Sequence, residues 1–195
     1  MKRTTVIHTL SMIAVAIALT TGMVAQTSIP KEHYTYAVVH PEKADGPTRY
    51  DIIINRWSTE AERDRLLSNL SEGVDKLARP LTAAETAGYM QWPGRVEYDL
   101  KYASRVLRAD GSEDVVLATD RPVFVWWDSE KGAAGTKSEF SVLQLRLNKD
   151  GRGEGKLSLT TKIGANKDAK TIMVEDFASQ RTLLADVQRG RSNSD

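Results

Sequence analysis

Val96-Glu97-Tyr98-Asp99-Leu100-Lys101-Tyr102 alternates apolar and charged side chains without a break. In an extended chain successive side chains leave opposite faces, so this stretch predicts a strand with one dry face and one wet face. The same period recurs downstream. Ala109-Asp-Gly-Ser112 reads as a turn into a strand at Val115-Val-Leu-Ala118, and Asp120-Arg-Pro122 as a turn into Val123-Phe-Val-Trp-Trp127. After Gly132 and Gly135, the Ser141, Leu143, Leu145 and Leu147 face should pair with Leu157, Leu159, Thr161 and Ile163 across Asp150-Gly151. Further strands near Thr171–Phe177 and Arg181–Val187 would complete a meander.

Upstream, Tyr34, Tyr36 and Val38 alternate in a strand ending at His40-Pro41, and Tyr50–Trp57 forms a second. Its Ile52-Ile-Ile54 run points to cover on both faces. These two strands should pair. Between them and Val96 the period becomes helical. Thr59 and Glu62 have capping-box spacing ahead of Leu66, Leu67 and Leu70, which share one stripe, and Gly73 can close the helix in a left-handed cap. Thr82 and Glu85 repeat the spacing, predicting a second short helix before Gly88. The fold expected is α+β: a predominantly antiparallel, curved sheet, meander-, sandwich- or barrel-like, with one main helix packed on it.

At the start of the chain, Met1-Lys-Arg3, the apolar run Leu10–Leu19 and the small residue Ala25 read as a secretory signal. The organisation expected is a signal peptide at 1–25, a flexible leader at 26–33, one β-rich domain at 34–189 and a disordered tail at 190–195. The destination is the periplasm or the exterior, with no membrane span after cleavage. Loss of Lys2 and Arg3 leaves 25 basic against 26 acidic residues, without the basic field that nucleic-acid binding favours. The chain has no cysteine, which removes disulfides, thiol catalysis and thiolate metal sites.

The combination Ile54–Leu67, Gly88-Tyr89, Tyr98-Asp-Leu-Lys-Tyr-Ala103, Ala118-Thr-Asp-Arg-Pro122 and Gly151-Arg-Gly-Glu-Gly-Lys-Leu157 resembles a group of uncharacterised exported bacterial proteins. The resemblance implies one exported domain and brings no activity with it.

Few chemistries suit the remaining residues. His33 and His40, an odd number of positions apart, should point to opposite faces of one strand, which argues against a shared metal or triad. Gly151-Arg-Gly-Glu-Gly155 lacks the following helix of a phosphate loop and reads as a hairpin turn. Asp99, Asp120 and Asp128 are candidates for an acid pair of glycosidase type. The ligand-contacting surface expected is Asp120, Arg121, Trp126 and Trp127, where Arg121 offers a charged fork and an exposed indole a stacking face. The competing account pairs Arg121 with Asp120 and buries both indoles. No catalytic residue, metal or cofactor is assigned. The function expected is non-catalytic, exported binding of a glycan, peptide or protein, or an envelope-associated role. The alternatives are an acid-residue hydrolase and a secreted protein–protein interaction module acting through a free strand edge.

Overall fold

The computed structural model describes residues 31–39, 49–92, 96–123, 139–158, 162–180 and 182–190. Trp126 and Trp127, with Asp128, His40, Leu159 and Thr161, lie outside them.

The described residues form ten strands: β1 (Glu32–Val38), β2 (Arg49–Ile54), β3 (Gly88–Trp92), β4 (Val96–Leu107), β5 (Glu113–Thr119), β6 (Val142–Leu147), β7 (Arg152–Ser158), β8 (Ile163–Asn166), β9 (Thr171–Val174) and β10 (Thr182–Arg189). Eight close into an antiparallel barrel in the order β1-β10-β7-β6-β5-β4-β3-β2, while β8 and β9 form a separate hairpin. The curved antiparallel sheet expected from the alternation is therefore a closed barrel. The last strands do not extend a meander in sequence order. The β8–β9 hairpin leaves the barrel wall, and β10 returns between β7 and β1 to close it.

The barrel strands supply Tyr34, Tyr36, Ile52, Ile54, Met90, Trp92, Tyr98, Leu100, Val115, Leu117, Leu143, Leu145, Leu184 and Val187 to one buried cluster, with Leu157 of β7 packed against it. A cluster drawn from all eight strands of a closed ring fills the lumen, as the width of an eight-stranded barrel allows. Ion pairs cross one end of it. Glu113 of β5, fully buried, is held by Arg189 of β10 at 2.6 Å. Glu32 of β1 is held by Arg105 of β4 at 2.8 Å, accepts from Tyr34 Oη at 3.0 Å, and lies under the Trp57 indole N–H at 3.3 Å. Burial, followed by the charges of Glu113 and Glu32, pushes the Tyr34 phenol well above its ordinary range.

The outer face carries His33, Thr35, Arg49, Asp51, Glu97 and Asp99, all exposed or half-buried. His33, expected in a flexible leader, is in β1 with its Nε2 2.6 Å from Asp51 Oδ1. An apolar lumen with a polar exterior is the reverse of the pattern in outer-membrane barrels. No helix among the described residues is long and apolar enough to cross a membrane.

A second buried cluster lies outside the wall. Tyr102, Val116, Ala118 and Val142 meet Ile163, Ile172 and Val174 of the hairpin, together with Leu66, Leu77 and Leu81. Among the described residues two α-helices, α1 (Glu60–Glu72) and the short α2 (Ala78–Ala83), cover this face, where one main helix with a second short helix capped at Thr82 was expected. The α1 capping box forms as read, with Thr59 and Glu62 each accepting from the other's backbone N–H. Gly73 ends the helix at φ 146, ψ 151, an extended positive-φ conformation and not the left-handed one. Of the expected leucine stripe only Leu66 is fully buried, with Leu67 and Leu70 partly buried beside it. The second helix does not start at Thr82 but contains it near its end, and it is followed by β3 (Gly88–Trp92), which the capping signal obscured.

Candidate functional site

α2 forms around Leu77 and Leu81, four residues apart and both fully buried in the outer cluster. Pro80 is tolerated because it lies in the first turn, where its missing N–H loses no helical bond. Anchoring this face leaves Arg79, Thr82 and Ala83 exposed. Facing them are two residues from the β5 exit and the β6 approach, Asp120 and Glu139. With Ala78, these residues line an open cleft of about 570 Å³.

The wall bearing the two carboxylates is tied together by its own hydrogen bonds. Thr119 N donates to Ser141 O at 3.0 Å, Ser141 N to Thr119 Oγ1 at 3.1 Å, and Val123 N to Ser141 Oγ at 2.8 Å. Thr119 Oγ1 in turn donates to Arg121 O at 2.7 Å. Phe140, fully buried in the outer cluster, anchors the residue after Glu139. Sequence-distant Asp120 and Glu139 are thereby held on one wall.

Asp120 lies 3.8 Å from Lys101 Nζ, a long contact for an ion pair, and Asp99 lies at the same distance. Lys101 spends its short hydrogen bond on Thr86 Oγ1 at 3.0 Å. Its side chain also borders a smaller cavity of about 100 Å³, with Glu62, Arg65 and Glu85. Glu62 is in a bidentate pair with Arg56, both bonds 2.9 Å, and this pairing holds its carboxyl at about 2. Arg79 and Glu139 make no hydrogen bond or ion pair with another described residue. The Thr82 hydroxyl donates back to Ala78 O at 3.1 Å.

The expected ligand-contacting residues separate. Asp120 lines the cleft. Arg121 does not: its guanidinium donates to Glu97 O and stacks on the Tyr98 ring, 4.7 Å from the centroid. Neither residue takes the other as partner. Trp126 and Trp127 fall outside the described residues. Of the expected acids, Asp99 faces Lys101 away from the lining, and the second carboxylate of the cleft is Glu139. Nothing in the local pattern marks Glu139.

No group of three potential metal ligands occurs among the described residues. The glycine-rich segment is a hairpin, with Gly151 at φ 72 in the turn and Gly153 and Gly155 inside β7. The class of protein this defines is a small closed β-barrel with a charged external cleft. Comparison with family models, with curated proteins and with solved structures found no match to the chain in any of the three.

Proposed function

We propose that this chain is an exported, non-catalytic binding protein whose ligand seats in the cleft between α2 and the β5–β6 wall. The observation that carries the reading is the cleft itself, an open depression of about 570 Å³ lined by Arg79, Asp120 and Glu139. The apolar lumen and polar outer wall favour an aqueous compartment. The basic and apolar leader favours export to the periplasm or the exterior of a bacterial cell, in keeping with the resemblance to exported bacterial proteins. Closure of the barrel pairs both sides of each barrel strand and leaves only the short β8 and β9 with an open edge among the described residues, which favours a cleft ligand over edge pairing.

One observation favours the acid-residue hydrolase as a second reading: Asp120 and Glu139 line the same cleft. Incubation with glycan and peptide panels, followed by mass spectrometry of bound and free material, separates the two. The binding reading expects a retained ligand of unchanged mass whose retention falls in Asp120→Asn. Cleavage products that disappear in both Asp120→Asn and Glu139→Gln would establish the hydrolase instead.

A further inference from the structure

We infer that the ligand of this cleft is a short zwitterionic peptide, its carboxylate taken by Arg79 and its ammonium by Glu139 and Asp120. The inference rests on the binding reading above and names the ligand class. Three observations lead to it.

The cleft is lined by both signs of charge, from different elements of the fold. Arg79 projects from α2, and the two carboxylates project from the wall fixed by the Thr119–Ser141 bonds. These charges do not satisfy one another. No ion pair joins Arg79 to Asp120 or Glu139, and Asp120 has only its 3.8 Å contact with Lys101. A ligand with one charge of each sign, spaced along its length, can meet both signs of the lining. A lone anion would meet the carboxylates and a lone cation the guanidinium, and each mismatch lowers affinity.

The rest of the lining is small and non-aromatic. Ala78 and Ala83 supply methyl groups and Thr82 a hydroxyl already donated to Ala78 O. Among the described residues no aromatic ring lines the cleft. Small side chains accommodate a peptide backbone between its two ends.

The guanidinium is also suited to the carboxylate end. Its planar fork can donate two parallel hydrogen bonds to a terminal carboxylate, a geometry that an ammonium cannot offer.

The test titrates the full chain with trialanine and with its N-acetyl, C-amide and doubly blocked forms, read by calorimetry and by amide shifts at Arg79, Thr82 and Asp120. Free trialanine should bind, and each block should weaken binding by about tenfold, the loss expected for one charge-assisted contact. Arg79→Met should erase the difference between free acid and amide. Glu139→Gln should shrink the difference between free amine and acetyl while leaving the acid preference intact. Equal binding of free and doubly blocked peptide would overturn the inference. So would binding of a neutral glycan in the cleft with no peptide binding, although the binding reading would then stand. If neither the peptides nor the glycan panel perturbs the cleft amides, both fall together.

Discussion

Glu113 shows what one residue contributes at the closed end of the barrel. Its side chain is fully buried, Arg189 holds Oε1 with two nitrogens, and Oε2 has no partner among the described residues. Removing one member of a buried pair strands the other charge, a loss of about 3–5 kcal/mol. Arg189→Ala should therefore destabilise the barrel by an amount near the lower end of that range, since Arg189 itself is partly exposed. The double variant Arg189→Ala with Glu113→Leu should recover much of the loss, as measured in urea melts. Glu62 gives a second prediction at this scale. Arg56 holds its carboxyl at about 2 in the folded chain, against about 4.3 in an unfolded one. A depressed acid stabilises the fold above the unfolded value and loses that contribution as pH falls toward the folded one. The wild type should thus lose more stability than Glu62→Gln between pH 5 and 2. Parallel pH profiles would show that the Arg56 pair contributes nothing to folding.

At the scale of elements, burial ranks the α1 leucines. Leu66 sits in the outer cluster with Tyr102 and Ile172, whereas Leu67 and Leu70 lie at its margin. Leu66→Ala should cost about 2–5 kcal/mol in urea melts, and Leu67→Ala clearly less. Equal losses would mean that the helix packs through a different face. The element scale is also where reading the sequence alone succeeds and fails. The Thr59 capping box, β1 pairing with β2, and the hairpin at Gly151 follow from local chemistry and were legible. β4 was legible from Val96 to Tyr102, although it runs on to Leu107, but not in phase. A bulge between Leu100 and Tyr102 shifts the alternation, so Tyr102 faces the outer cluster while Ala103 returns to the lumen. β3 was hidden because Thr82 and Glu85 satisfy a helical spacing. Gly88 opens that strand because a Cβ there would overlap the Ile53 carbonyl of β2, a contact that no local pattern reveals.

For the whole molecule, closure decides what remains available for function. Pairing β10 with both β1 and β7 fills the lumen with apolar side chains and removes free edges from the barrel. The helices and the β8–β9 hairpin then build a second layer on β4, β5 and β6, and the cleft opens at its margin. Asp120, expected at a ligand-contacting surface, does line the cleft, just after the end of β5 and before Pro122. Arg79 and Glu139 were not legible, because they meet only after sixty residues of barrel have folded between them. Assigned amide spectra recorded during titration with the glycan and peptide panels test the central claim most directly. The account predicts that a bound ligand shifts Arg79, Thr82, Ala83, Asp120 and Glu139 together and leaves the His33–Asp51 face unmoved. Shifts confined to any other surface, with these five unchanged, would contradict it.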